Sequence, residues 1–223
     1  MSSLINGLVS LWEFEGVLSD SIGSNALTLS GSSAYAAALG NVGKGFSFNG
    51  TTDLSKTTPS GLSLANTITV GIVCKITATA AQAFLVDRLG GTEGFGIYIT
   101  ATNSYPSISL NGGLGSATGS AAIDDGNLQF VMVTYDKDAG SNQIKVYVNN
   151  SNVANGTYSS AISYSPDPNL IIGGTGGANR LPNGSIIYQL PIWNRVLTAD
   201  ERAAWYSGGN GMNFFKKPAT IIF

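Results

Sequence analysis

The side chains able to do chemistry in this 223-residue chain are carboxylates, tyrosines and lysines, because it has no histidine and a single cysteine. Without imidazole there is no Ser-His triad, no Cys-His dyad and no histidine ligand for zinc. Cys74 lies inside the apolar run Ile68 to Ile76, where a free thiol behaves as a small buried hydrophobe. Glu13-Phe14-Glu15 is the close glutamate pair, and a strand period of two puts both on one face. Two carboxylates about 5 to 10 Å apart are what glycosidic hydrolysis requires. Asp136 to Asn142 imitates part of a calcium loop but has no late glutamate, and reads as a solvated hairpin turn. Sugar recognition needs aromatic faces beside hydrogen-bonding groups. In Phe95 to Ile99 the odd positions are apolar and turn Tyr98 to the opposite face, while Ile144, Val146 and Val148 turn Lys145 and Tyr147 outward. Tyr98, Lys145 and Tyr147 are therefore the candidate ligand-binding residues, expected to share one open sheet face. The loop tyrosines Tyr105, Tyr158 and Tyr164 are alternative contacts.

The elements that must position these groups are short strands. Apolar residues alternate at period two in runs such as Leu8 to Phe14, Gly45 to Phe48, Thr67 to Ile76, Ala83 to Asp87, Leu128 to Tyr135, Gln143 to Val148 and Ser185 to Trp193. Between runs stand residues tolerant of positive φ, as in Asn49-Gly50, Asn111-Gly112, Asp125-Gly126, Asn155-Gly156 and Asn183-Gly184. Many short strands closed by such turns predict an all-β sandwich or barrel. One helix is marked: Thr198 and Glu201 form a capping box, Gly208 is placed to end it, and Ala203, Ala204 and Trp205 are expected to pack on the sandwich end.

The order of these segments resembles the concanavalin A-like jelly roll in its laminin-G-like form. The resemblance is carried by Leu8-Val9-Ser10-Leu11-Trp12-Glu13-Phe14-Glu15-Gly16, by the Asp20-Ser21-Ile22-Gly23-Ser24-Asn25 loop and by Gly45-Phe46-Ser47-Phe48-Asn49-Gly50. It continues through the hairpin Leu128 to Asp136 and Ile144 to Asn150, then Leu170 to Gly173, and closes on Ile192-Trp193-Asn194-Arg195 to Glu201. It implies a concanavalin A-like jelly-roll β-sandwich of two antiparallel sheets with one short C-terminal helix. It also implies a structural Ca2+ held by Asp20 and Asn25. Against the family pattern, Leu128-Gln129-Phe130 stands where Trp-His-His is common, and Tyr188-Gln189 where Asp-Glu is common. The glutamate pair lacks the Glu-x-Asp-x-x-Glu pattern of the superfold's glucanases, so no catalytic residues are expected.

Composition narrows the partners. Formal net charge is -2 and only 11% of residues are charged, with no basic stripe for a phosphate backbone. Nucleic acid is not an expected partner, and no apolar run reaches the roughly 18 residues that span a bilayer, so no membrane insertion is expected. Residues 1–208 read as one jelly-roll domain and 209–223 as a glycine hinge with an apolar tail, Met212 to Phe223, around the pair Lys216-Lys217. The tail either closes the parent core or docks on a partner. The expected function is a non-catalytic, lectin-like module on a virus particle, a phage decoration, fibre or tail protein contacting host glycan. Through its tail it would join a virion protein or a sister copy. The absence of a signal sequence suits synthesis in the host cytoplasm. The rivals are a ligand-free structural virion subunit and a secreted or cellular lectin or glycosidase-associated module.

Overall fold

The computed structural model describes residues 2–32 and 34–214. In chain order the elements are α1 (Ser2–Ile5), β1 (Leu8–Trp12), β2 (Thr28–Ser30), β3 (Ala34–Ala36), β4 (Gly45–Ser47), β5 (Asp53–Lys56), β6 (Thr67–Lys75), β7 (Ala83–Gly90) and β8 (Glu93–Ile99). There follow β9 (Pro106–Leu110), β10 (Gly115–Thr118), β11 (Leu128–Asp136), β12 (Ile144–Val148), β13 (Ser151–Gly156), β14 (Leu170–Ile172), β15 (Ile186–Trp193) and α2 (Ala199–Tyr206). They form two antiparallel sheets. The eight-stranded sheet runs β13-β12-β11-β6-β15-β4-β3, and the second half of β15 pairs instead with β1. The seven-stranded sheet runs β10-β9-β8-β7-β14-β5-β2.

Alternation builds the layer between the sheets. Ile68, Val70, Ile72 and Cys74 of β6 meet Val131, Val133 and Tyr135 of β11 and Ile144, Val146 and Val148 of β12 on one inner face. Phe95, Ile97 and Ile99 of β8 and Leu170 and Ile172 of β14 supply the other. However, β11 is buried at every position but its two ends and carries the apolar run Phe130 to Val133, the mark of a strand buried on both sides. Its outer residues Phe130 and Met132 join Val73, Tyr188, Trp193 and Tyr147 in a second core, roofed by Leu4 of α1, by Leu197 and Trp205, and by Phe214.

The roof is fastened by a clasp. The Arg195 guanidinium donates to both oxygens of Glu201 at 2.7 and 2.8 Å, and also to the Ser3 and Asn6 carbonyls, so one side chain ties both terminal helices to the end of β15. Glu201 completes the expected capping box with Thr198. Three expectations change here. The helix lies flat on the outer face of the eight-stranded sheet rather than on the sandwich end, with Trp205 buried and Ala203 and Ala204 exposed. It ends at Ser207, whose own backbone is left-handed (φ 48°), one residue before Gly208. Asn155-Gly156 is not a turn but the end of edge strand β13.

Past the helix, the chain packs in cis: Gln189 Nε2 donates to the Met212 carbonyl at 2.8 Å, and the Phe214 ring lies 6.2 Å from Trp193. Residues 215–223, which include the rest of the expected partner-docking tail, lie outside the described residues. Gly71 explains how α2 sits so close, since a Cβ there would come within 2.9 Å of Trp205 Cζ2. Trp205→Ala is expected to cost about 3–5 kcal/mol by emptying this seat. Denaturant titration checks it, and a loss below about 1 kcal/mol would mean the roof does not depend on the ring.

Candidate functional site

The two faces of the sandwich differ in what they leave for a ligand. Among the described residues no α-helix lies on the outer face of the seven-stranded sheet, and register sets out its residues in rows across the strands. One row runs Ser116, Ser109, Gly96, Asp87, Ile171, Ser55 and Thr28, and the next runs Thr118, Ser107, Tyr98 and Phe84. Tyr98 is half-buried and stacks on Phe84, with ring centroids 5.1 Å apart and planes at 29°. Ser107 Oγ and Thr118 Oγ1 are 2.8 Å apart, while Ser116 and Thr118 are exposed. The surface is thus a supported aromatic ring set among hydroxyls. Gly96 keeps it level, because a Cβ there would press within 2.8 Å of both Phe84 and Leu89.

Asp87 is a carboxylate of this face; the other, Asp53, is paired with Arg180. Asp87 is 7% exposed, accepts one hydrogen bond from the Leu89 amide at 3.0 Å, and burial pushes it up to about 6 despite that bond. Serines and threonines read as surface filler in the sequence, and Asp87 at the end of an apolar run gave no separate signal. Only the strand order joins them into one surface.

Lys145 and Tyr147 are not on it. Both belong to β12 of the other sheet, so the expected shared face with Tyr98 does not exist; sheets stack about 10 Å apart, and these residues face outward in opposite directions. They do meet each other. With Thr134, Asp136, Leu197 and Arg202 they line a cleft of about 240 Å³ between the β11–β12 hairpin and α2. Tyr147 is 7% exposed, and the Arg202 guanidinium sits 4.2 Å from its ring centroid, so its face is taken by a cation. Outward on the strand became inward under the helix. Of the loop tyrosines, Tyr158 accepts from Asn111 Nδ2 at 2.7 Å and Tyr164 donates to the Leu64 carbonyl at 3.3 Å, which ties both into the sandwich.

Asp20 and Asn25, the residues expected to hold Ca2+, come together in one hydrogen-bonded loop. Asp20 Oδ1 accepts from the amides of Leu11, Ile22 and Gly23 at 2.9, 3.1 and 2.8 Å. Its Oδ2 accepts from Ser10 Oγ at 2.7 Å and from the Asn25 backbone and side-chain nitrogens at 3.3 Å. Asn25 is fully buried, and its Oδ1 accepts from the Ser60 amide at 2.8 Å. Six N–H and O–H donors thus converge on the one carboxylate and hold the loop. Among the described residues no three Asp, Glu or Cys groups converge on a metal-sized space.

The glutamate pair does not form a cleft either. The strand ends at Trp12, ahead of both acids, and Phe14 between them takes a left-handed conformation (φ 52°), which breaks the alternation that would put both on one face. Glu13 Oε2 accepts from Ser21 Oγ at 3.3 Å, and Glu15 Oε1 accepts from the Lys44 amide at 3.0 Å. Burial pushes Glu13 above its ordinary range, against the Ser21 bond and with help from the Glu15 charge. Cys74 is fully buried, and burial pushes its thiol up to about 12, an inert sulfur.

A family model described as the concanavalin A-like lectin/glucanases superfamily matches residues 49–201. No curated protein sequence matches the chain. Among solved structures, domain 4 of AbnA, an extracellular arabinanase from Geobacillus stearothermophilus in complex with arabinotriose, aligns with TM-score 0.67 and 20% identity over 92% of this chain and 98% of that domain. The binding domain of Paraclostridial Mosquitocidal Protein 1 aligns with TM-score 0.70 and 15% identity over 91% of this chain. That of botulinum neurotoxin DC in complex with SialylT aligns with TM-score 0.66 and 11% identity over 92%. The chain spans about half the length of these toxin domains, 52% in each case.

Two titrations follow from these carboxylates. Burial outweighed by the Leu11, Ser10, Gly23 and Ile22 bonds holds Asp20 below the usual carboxylate range, so its contribution is present above the unfolded value near 4 and is lost as pH falls through its folded value. Asp20→Asn should lower Tm at pH 7, and a chelator should leave the wild-type Tm unchanged; a Tm lowered by chelator and restored by Ca2+ would reinstate the ion. Asp87 has the opposite sign. Raised to about 6, it favours the folded state below the unfolded value near 4, and that contribution is lost as pH rises through 6. Asp87→Asn should raise Tm by a few degrees at pH 7–8, about 1–2 kcal/mol, and flatten the profile between pH 4 and 6.

Proposed function

The chain belongs to the concanavalin A-like lectin/glucanase superfamily, and from that footing we propose that it is a non-catalytic, lectin-like module binding a glycan on the open face of its seven-stranded sheet. One observation carries the reading: the eight-stranded sheet is covered on both faces, whereas the seven-stranded sheet presents Tyr98, braced on Phe84, among serine and threonine hydroxyls. Pyranose or furanose C–H groups pack on an aromatic ring, and sugar hydroxyls exchange hydrogen bonds with protein hydroxyls that both donate and accept. Asp87, in the neighbouring row and ionised above about pH 6, adds a negative charge beside these hydroxyls. An arabinotriose complex of a domain aligned over nearly its whole length supports a carbohydrate ligand, and so does the SialylT complex of a toxin binding domain. The separated, individually bonded Glu13 and Glu15 support binding without cleavage.

Display on a virus particle is the setting we favour. What supports it is a composition poor in charge and rich in small polar residues, suited to packed protein or sugar, and a sequence after Phe214 that ends on the apolar Ile221-Ile222-Phe223 for attachment. The rival is a structural particle subunit without ligand.

A glycan array followed by calorimetry on the whole chain tests the reading. Tyr98→Ala, shown to be folded by its melting curve, should weaken binding at least tenfold, while Lys145→Ala on the opposite sheet leaves it within a factor of two. Absence of binding to any bacterial or animal glycan by wild-type protein would favour the structural rival. Cleavage products in the same assay that vanish in Glu13→Gln would overturn the non-catalytic assignment.

A further inference from the structure

A cavity of about 380 Å³ opens on the other side of the molecule, where the end of β6, the start of β11, the Gly40–Val42 turn and the residues after α2 meet. That volume falls in the range of small-ligand sites, roughly 300–1,000 Å³, and admits one sugar ring. Its lining combines Lys75 with three carboxamides, Asn41, Asn127 and Asn210, and two leucines, Leu39 and Leu128.

The sheet register builds this combination. Lys75 stands opposite Leu128 on one side and Ile186 on the other, all three at the half-buried outer surface, and both apolar partners pack on the second core. The lysine stem therefore runs between hydrophobic neighbours to an ammonium at the cavity, and among the described residues no acid pairs with it. The amides are oriented. Asn127 Nδ2 donates to Asp125 Oδ2 at 2.8 Å and Asn210 Nδ2 to the Ser207 carbonyl at 3.1 Å, so each leaves its Oδ1 as an acceptor. Asp125 itself is occupied by Asn127 and Gln129.

One cation beside two fixed acceptors selects its ligand. Sulfate offers acceptors only and would meet the two amide oxygens unfavourably, and hydrogen phosphate, with one or two hydroxyls, has no C–H face for the leucines. A neutral sugar satisfies the acceptors and leaves the ammonium without a partner. A sugar that carries a carboxylate satisfies both, with its anion on Lys75, its hydroxyls donating to Asn127 and Asn210, and its C–H face on Leu128 or Leu39. We propose that this cavity is a second binding site, independent of the open sheet face, for a carboxylate-bearing sugar of the uronate or sialate class.

The test is titration of the full chain, labelled with 15N, with D-glucuronate, N-acetylneuraminate, D-glucose and inorganic phosphate. At least one sugar acid should shift the Asn127, Gly209 and Asn210 amides saturably, at least tenfold more tightly than D-glucose or phosphate. Lys75→Gln should abolish the tenfold preference over D-glucose, Lys75→Arg should retain part of it, and Tyr98→Ala should leave it unchanged. Should Lys75→Gln fail to fold, Asn210→Ala on the exposed turn should weaken the sugar acid about tenfold instead. Phosphate binding as tightly as the sugar acids, no saturable shift with either acid, or full affinity in both Lys75→Gln and Asn210→Ala would overturn the site. Glycan binding at the Tyr98 face stands or falls separately, because its variants act on the other sheet.

Discussion

An eight-stranded sheet that is apolar on both faces must be covered twice, and the rest of the molecule follows from that requirement. Burial of side chains such as Phe130, Met132, Val73 and Trp193 contributes roughly 1.5–3 kcal/mol each, and none of it is gained if the outer face meets water. The seven-stranded sheet supplies one cover. The other is assembled from pieces far apart in sequence: α1, α2 and the residues up to Phe214. Small pieces cannot hold such a position by area alone, so directed bonds fix them. Arg195 grips Glu201, Ser3 and Asn6, Trp193 Nε1 donates to the Leu4 carbonyl at 2.7 Å, and Gly71 leaves space for Trp205. Burial overcomes part of the effect on Glu201, yet the Arg195 bond still holds its carboxyl down at about 2, so the clasp persists over the working range of pH.

The same requirement decides where recognition can occur. With both faces of one sheet covered, the flat polar platform lies on the other, and the two clefts described above arise where the roof stops short of the sheet beneath. The hairpin cleft beside α2 and the Lys75 cavity are both such margins. Their polar residues are strand residues that the roof leaves uncovered, flanked by turn residues at its edge. This is why the lining of each mixes leucine with amide or charge rather than forming a uniform surface.

Much of the fold was legible in the sequence, and the limit was physical. Local signals held: Thr198 and Glu201 cap the helix, Asp136 to Asn142 turn a hairpin, and the period of β8 and β12 correctly sent Ile97 and Val146 inward. What period two cannot state is which sheet a strand joins or what lies over its outer face. Tyr98 and Tyr147 have the same local pattern, yet one braces an open platform and the other lies under Arg202. The short edge strands β2, β3 and β13 were missed because their residues are largely exposed and carry little hydrophobic signal. Asp20 illustrates a third limit. Four of its six donors come from its own loop, but Leu11 and Ser10 reach it from the neighbouring strand, and only strand placement adds them to the set. Platform and cavity alike needed strand order, which is set by pairings between residues far apart in the chain.

The few charges are divided between two tasks, and the division follows side-chain chemistry. All four arginines are engaged within the described residues: Arg88 with Asp167, Arg180 with Asp53, Arg195 with Glu201, and Arg202 over Tyr147. A planar fork that bonds several acceptors at once, as Arg88 does with the Leu62 carbonyl, Ser63 and Asp167, suits the joining of loops to a sandwich. Lysine is a point charge on a flexible stem and makes a poorer clasp. Lys75 and Lys145, neither with an acid partner among the described residues, instead stand at the two cavities beside amides and hydroxyls. A surface with so little charge can afford specificity for a weakly charged ligand, because a single unpaired ammonium then stands out against its surroundings. The absence of histidine fits the same division: each cavity sets a lysine among amides or hydroxyls, and no imidazole is present to move a proton between pH 5 and 8.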